Sequence, residues 1–590
     1  MRIKFYFKAI ALSLYLLAFL SIAKAQTKIY RQLPEDNGIG FGLSAMFKVE
    51  AKTCNETFQN VYTYGITPND GGTVTKKEHI AMFGFNPEEG PVTIKVSLKS
   101  GAALTSSNIE LVNKTYKGTS TSFSDGAMFI EVCQPMKQLL VRMPSNKANP
   151  LMIHVDPYSL PEIPEGANVK VFGGGINGEV HEQTAQYDRY TVPNNIDVIV
   201  IEDGALFKGT IHTDDARTKP LTIQGQGMII CREVSKPAKS VKMKYNAMEL
   251  NDGSAHKIYG VTMVNGRHFA IRVNQNAHVQ NLKVYGYRNN NDGIVAGANS
   301  IIENSFFKCH DDHIKLYNPN MKVRNCVFYE QRNGAVFQFA WNRLTPGDNC
   351  LIENIEVVEW EANCGDPHLN QGGIARSFIN HRESEETGKK CENTTFRNVY
   401  IQGPIQRLIC LNGLVNPIQY TNLTLENFTL ENVPEYNWLY ARKESQSNTT
   451  SININFNNVR YGTRFIQQSD FKTIGTVNLS FDETGDKYMG MMNPDEEGEC
   501  ACEPSMYNNY TENATLKVYP NPAKTFVNVE LAELDKQASL SLYNATGQLV
   551  ISKNISNISE RINLTDLQKG FYIIKVQNGT QTYTESLLVD

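Results

Sequence analysis

Short runs of alternating apolar and polar residues recur along the chain, separated by turn signals. Between residues 26 and about 165 they include Ala45-Met46-Phe47-Lys48-Val49 and Val92-Thr93-Ile94-Lys95-Val96-Ser97-Leu98. Clusters such as Asn69-Asp70-Gly71-Gly72 punctuate them. Many short strands divided in this way predict a β-sandwich. The run Pro150-Leu151-Met152-Ile153-His154-Val155-Asp156-Pro157 then leads into a proline-rich crossing from Pro161 to Pro164, where we place a boundary.

From 166 to 490 the pattern becomes repetitive: apolar, any residue, Asn, apolar, any residue, apolar. Copies are Val279-Gln280-Asn281-Leu282-Lys283-Val284, Val323-Arg324-Asn325-Cys326-Val327-Phe328, Ile352-Glu353-Asn354-Ile355-Glu356-Val357, Phe396-Arg397-Asn398-Val399-Tyr400-Ile401 and Leu425-Glu426-Asn427-Phe428-Thr429-Leu430, with a variant around Asn304. The Asn spacings are 23, 21, 29, 44 and 29. A base period just above 20, enlarged by insertions, predicts a right-handed parallel β-helix whose coils stack inward-facing apolar residues into one core. Each corner Asn is expected to bond the turn carbonyls of its neighbours. A β-propeller would need about twice this period.

Residues 491–514 are polar and acidic and read as a linker. After it, Val518-Tyr519-Pro520-Asn521-Pro522-Ala523, Leu540–Gln548 and Leu567–Val576 predict a small C-terminal β-sandwich over 515–590. This module resembles the C-terminal sorting domain of the type IX secretion system. The resemblance implies passage through the outer membrane with that machinery as partner, then release or attachment at the cell surface. On the residues alone, a small carbohydrate-binding sandwich is the alternative. At the other end, Arg2, Lys4 and Lys8 precede an apolar run from Ala9 to Ile22, and Ala23-Lys24-Ala25 offers a cleavage point. Residues 1–25 therefore read as a signal peptide. The run is shorter than the ~20 apolar residues that span a bilayer. No other segment is long and apolar enough, so the mature chain is expected to lack a transmembrane segment.

The 57 basic and 61 acidic residues leave a net charge of -4, which gives no argument for a nucleic-acid partner or an anionic membrane. Eleven cysteines are scattered, with Cys500 and Cys502 the one tight pair. The odd count leaves at least one thiol free or intermolecular. Cys309 and Cys326 fall in apolar strand patterns and read as small buried side chains.

Chemistry concentrates in two segments, Asn289-Asn290-Asn291-Asp292-Gly293-Ile294-Val295 and Cys309-His310-Asp311-Asp312-His313-Ile314-Lys315-Leu316-Tyr317. Asp292-Gly-Ile-Val, Asp312-His-Ile-Lys and Asn333-Gly-Ala-Val align at spacings of 20 and 21, about one coil each. Asp292 and Asp312 should then stack on adjacent coils, with backbones ~4.8 Å apart. Asp311 is one residue out of register and should point elsewhere. Carboxylates this close resist joint ionisation, and at least one pKa must rise. Inverting glycoside hydrolysis needs such a set: a protonated acid for the leaving oxygen and an opposing carboxylate to activate water. Register assigns Asp311 as general acid, and Asp292 with Asp312 as the pair that holds and activates water. A solvated turn is the bland alternative for an isolated Asp-Asp, and a calcium site is a second. The flanking His310 and His313 argue against calcium, so no metal and no cofactor is expected. Lys315, Tyr317, Gln338 and Trp341 are candidate substrate contacts; Lys315 could instead hold one Asp ionised, and Trp341 could instead be core.

These motifs resemble glycoside hydrolase family 49, the dextranases and isopullulanases. The resemblance rests on the 19-residue step from Asp292 to the pair at Asp311, on Asp311–Tyr317, and on Asn333–Trp341. It spans residues 30 to 470 and is specific around 289–341. It implies a β-sandwich followed by a β-helix, inversion, a general acid at Asp311, and a polysaccharide substrate, here an α-1,6-linked glucan of dextran type. The pectin-cleaving β-helix hydrolases share the acids but add Gly-His-Gly on the next coil and a later Arg-Ile-Lys. Here the matching place is Asn333-Gly334-Ala335, and no Arg-Ile-Lys follows. Only Arg288, Lys315, Arg332 and Arg343 could meet an acidic substrate, which favours a neutral glucan. A uronate lyase, a pectin hydrolase and a non-catalytic glycan-binding β-helix remain as rivals.

Overall fold

A computed structural model describes residues 27–490 and 516–589, apart from loops at 68–76, 178–188, 232–245, 361–376 and 442–449 and several shorter turns. The proposed signal peptide, the linker with Cys500 and Cys502, and Trp341 lie outside the described residues. Residues up to Cys502 form one compact unit and Glu503–Asp590 a second.

The first unit opens with a seven-stranded sheet facing a five-stranded one. In Phe47–Thr53 every second residue is buried, the period-2 signature of a strand with one face on a core. Glu78–Phe85 is buried at all eight positions. One of its faces meets the other sheet, and the other meets the solenoid, whose Tyr285, Tyr287, Phe306 and Tyr329 share a single apolar cluster with the sandwich. Cys54 and Cys133, each just past the end of a strand in the five-stranded sheet, are disulfide-bonded. Cys309 and Cys326 are free and buried, as their apolar setting suggested.

The last sandwich strand ends at Pro157 and the first solenoid strand begins at Val169. The boundary we propose near 165 falls between them. The solenoid is a parallel β-helix. One of its faces is an eleven-stranded sheet running from Arg189–Val192 to Phe471–Ile474. The remaining strands form two further stacks joined around a corner, and coil pairs on coil throughout. The interior holds Ile, Val, Leu and stacked Phe side chains, with Phe307 and Phe328 parallel at 5.4 Å.

The corner asparagines take a different bond from the one expected. Asn325, Asn354, Asn398, Asn427 and Asn458 all adopt left-handed φ of 52–58°. From Asn354 onward each side-chain amide donates to the side-chain oxygen of the Asn one coil back, at 3.0–3.1 Å, and Asn458 alone of these also donates to a backbone carbonyl, that of Asp486. Asparagine tolerates this backbone and supplies both donor and acceptor, so identical corners join end to end. A second ladder, which the repeat pattern did not announce, runs through Asn276, Asn299 and Asn320 and again through Asn349, Asn393 and Asn422.

Buried polar bonds fasten sandwich to solenoid. Lys308 pairs with Glu78 at 2.9 Å, and the Tyr287 hydroxyl donates to the same carboxylate. Lys283 pairs with Asp156 at 2.6 Å, where Asn281 and Tyr30 also donate. All four charged side chains are nearly inaccessible, so each depends on its partner.

The second unit is a small β-domain of a three-stranded and a four-stranded sheet around Val527, Leu540, Leu542, Ile574 and Val576.

Candidate active site

The acids lie where coils turn onto the eleven-stranded face. Asp292 opens the strand Asp292–Ala296, and its N–H donates to the His268 carbonyl. One coil on, Gly293 N–H donates to Asp312 O at 2.9 Å and Ile294 N–H to His313 O at 2.8 Å. Ile294 pairs with Ile314 and Val295 with Lys315, so Asp292 and Asp312 are one coil apart in register, as the spacing required.

The next coil departs from the expected alignment. Ile314 pairs with Phe337 and Lys315 with Gln338, which sets Asp312 level with Ala335 and not with Asn333. The reason lies at Gly334. Alignment treated it as a strand residue like Gly293, but it sits in a bend at φ +86° beneath the acids. A Cβ there would lie 2.4 Å from Asp312 N and 2.8 Å from Asp311 Oδ1. The shift is by two residues, so every later side chain keeps its face.

Lys315 organises the site. Its Nζ lies 2.7 Å from Asp292 Oδ2, 2.5 Å from Asp312 Oδ2 and 3.0 Å from Gln338 Oε1. An ammonium has three donors, and these partners take all three. Of its two expected roles this geometry fits the ionic one. The Tyr317 hydroxyl also donates to Gln338 Oε1, so these two expected substrate contacts form the wall behind the lysine. Asp312 is fully engaged: its second oxygen accepts the Ala335 N–H at 2.7 Å. Asp311 Oδ1 accepts the N–H of Asp312 at 3.0 Å. Asp311 and Asp292 retain 8% and 6% exposure against 1% for Asp312, so the first two are the acids a ligand can reach.

Electrostatics separate the acids further. Burial, then the charges of Asp292 and Asp312, hold the Asp311 carboxyl well above the ordinary range. Burial raises Asp292 to about 7, with Lys315 opposing the rise. Burial works against the Lys315 charge, but the carboxylates of Asp292 and Asp312 outweigh it and keep the ammonium firmly protonated. Among the described residues no group of three His, Cys, Asp or Glu is arranged to hold a metal. Between Asp292 and Asp312, where a cation would sit, the ammonium already stands.

Two neighbours escaped the sequence reading. Phe269 pairs in register with Asp292, is half-buried, and its ring lies 5.7 Å from Lys315 Nζ. Exposed His268 packs against it, with ring centres 4.1 Å apart. A further copy of the strand pattern was available, since Phe269-Ala-Ile-Arg falls 23 residues before Asp292-Gly-Ile-Val. His313, flanking the acids, is turned inward to Glu330 at 3.1 Å and serves the core.

Known proteins resemble this chain. The chain is 27% identical over 186 residues to a dextranase of Arthrobacter sp. (strain CB-8), covering 29% of this chain and 28% of that one. It is 25% identical over 151 residues to an isopullulanase of Aspergillus niger, covering 24% and 25%. This chain is similar in sequence to dextranases and isopullulanases. The matched part spans little more than a quarter of these relatives' length. The fold extends the likeness. Dex49A from Penicillium minioluteum superimposes with a TM-score of 0.62 at 14% identity, over 78% of this chain and 100% of that one. The resemblance to glycoside hydrolase family 49 thus holds in sequence and in fold. Residues 517–590 match the model described as a secretion system C-terminal sorting domain, the module the sequence resembled. The chain therefore carries a module of the export type at residues 517–590. Among the described residues no helix is long and apolar enough to cross a membrane.

Proposed function

We propose that this protein is an exported, inverting glycoside hydrolase that cleaves a neutral α-glucan, with α-1,6 links of dextran type as the preferred substrate. Asp311, protonated, gives its proton to the glycosidic oxygen as the C–O bond breaks. A water attacks the anomeric carbon from the opposite face and loses its proton to Asp292. Asp312 shares Lys315 with Asp292 and holds that pair in place. The observation that carries this reading is the division of three clustered acids into an ammonium-bound pair and a separate carboxyl whose pKa is pushed up. Such a division suits one acid and one base acting together. The relatives named dextranase and isopullulanase support the choice of an α-glucan, and the sorting module supports the secretion machinery as a partner.

The test is release of reducing ends from dextran, pullulan, isomaltooligosaccharides and polygalacturonate, with product stereochemistry followed by proton NMR. Hydrolysis of an α-glucan with β-configured first products is expected. Activity on polygalacturonate alone, or first products of retained configuration, would refute the proposal.

A further inference from the structure

Residues of both sheets of the N-terminal sandwich line a cavity of about 400 Å³, among them Met46, Lys77, His79, Leu98, Ser100 and Asn149. His79 stands on the strand Glu78–Phe85 and is 1% exposed. Its cross-strand partner is Gly65, which leaves room beside the ring. Phe47 meets the imidazole edge-on, with ring centres 5.1 Å apart.

The hydrogen bonds around His79 fix which nitrogen carries its proton. Ser44 Oγ lies 2.9 Å from His79 Nδ1. The same oxygen accepts the N–H groups of Met46 and Phe47, at 3.2 and 3.0 Å. Its lone pairs are therefore taken, and its own hydrogen goes to Nδ1. Nδ1 accepts, so a neutral ring carries its hydrogen on Nε2. Burial, and then the charge of Lys77, hold the imidazole down at about 4, which keeps the ring neutral at physiological pH. Among the described residues Nε2 has no hydrogen-bond partner, although the residue is buried and lines the cavity. A buried donor of this kind calls for an acceptor.

The other polar groups of the lining also offer donors. Lys77 lies across Gly65: a Cβ there would stand 2.7 Å from Lys77 Cε and 3.7 Å from Nζ. Asn149 Oδ1 accepts the Lys77 N–H at 3.0 Å, which leaves the amide NH2 to donate. The neighbouring ammonium of Lys99 is bound to the Ser44 carbonyl at 2.6 Å and does not compete. Met46 and Leu98 are half-buried and supply an apolar wall. None of the lining side chains is a carboxylate. A sugar hydroxyl must donate as well as accept, whereas a carboxylate only accepts. A donor-rich, cationic lining thus selects the carboxylate.

We propose that this cavity binds a small monocarboxylate of single-ring size, its carboxylate held by His79 Nε2 and the Lys77 ammonium and its body against Met46 and Leu98. The site stands apart from the acid cluster and does not depend on the reading of that cluster.

The test is calorimetric titration of the full chain with glucuronate, with glucose as the neutral counterpart, and with tetragalacturonate. Glucuronate should bind with one-to-one stoichiometry and glucose should not. Lys77→Met keeps the backbone N–H bonded to Asn149 and should weaken glucuronate roughly tenfold. His79→Gln should weaken it as well, and if that variant does not fold, Lys77→Met still decides. Tetragalacturonate binding at least as tightly as the monomer assigns the site to the ends of acidic glycans, and binding of the monomer alone assigns it to a free acid. No saturable binding of either, equal binding of glucose, or unchanged affinity in Lys77→Met overturns the proposal. Hydrolytic activity should be unchanged in Lys77→Met, so failure of the hydrolase reading reads out separately, on the glucan substrates.

Discussion

Replacing Lys315 by methionine keeps most of the side-chain volume and removes the one charge that Asp292 and Asp312 share. Each carboxylate has an oxygen within 2.7 Å of Nζ, so those oxygens can be no more than about 5.2 Å apart. At an effective dielectric of ~20, two unit charges at ~5 Å repel by ~3 kcal/mol. Breaking a buried ion pair from one side typically costs ~3–5 kcal/mol, which agrees. The penalty depends on ionisation. Without the ammonium the folded-state pKa of Asp292 rises further above its unfolded value. A group with a raised pKa loses its contribution as pH climbs through the folded value. The stability deficit of Lys315→Met should therefore be small near pH 4 and grow through neutrality. Thermal unfolding of both proteins at pH 4, 5.5 and 7.5 measures it, and activity should be lost in parallel. A deficit that is the same at all three values, or absent at pH 7.5, would refute the ionic role of Lys315.

Four other outcomes follow from the geometry. Asp311→Asn should lower turnover by at least ~10²–10⁴-fold, while its melting temperature overtakes that of the wild type as pH rises, because a carboxyl with a raised pKa destabilises the fold at higher pH. The kcat/KM profile should show an acid limb above the ordinary carboxylate range, set by Asp292, and Asp292→Asn should abolish activity; a flat profile down to pH 4 contradicts this. Gly334→Ala should cost ~1–3 kcal/mol through backbone strain and the clash with Asp312 N, with activity falling more than stability. Asn398→Ala should cost ~2–4 kcal/mol, from two ladder bonds and the left-handed backbone, and Asn398→Gly should recover the backbone part in chemical denaturation.

The repeat pattern carried most of the fold, because a solenoid coil must bring the same corner and the same inward positions back at each turn. Asn325, Asn354, Asn398 and Asn427 announced their ladder for that reason. Asn276 and Asn299 did not, since their flanks lack a shared apolar frame. The pairing of Asp292 with Asp312 was legible because no insertion separates them. The step to Ala335 was misread by two residues because a glycine in a turn and a glycine in a strand look alike in sequence. The sequence placed Lys315 near the acids but left its partners open. Only the register with Gln338 in three dimensions shows that its donors are exhausted. Phe269 was missed because its coil carries no acid to draw notice, and the seam of Glu78 and Asp156 with two lysines joins residues more than a hundred positions apart.

The asparagine ladders bear on how such a chain can change. Successive rungs may be 21 or 44 residues apart, and the corner bond is the same. A coil can thus acquire a long excursion on one side without disturbing the layers above or below it. New loops can be tried around the acids, one coil at a time, against a scaffold whose corner bonds stay the same. Substrate preference in this architecture can drift quickly while the acids, held by their own register, stay where they are.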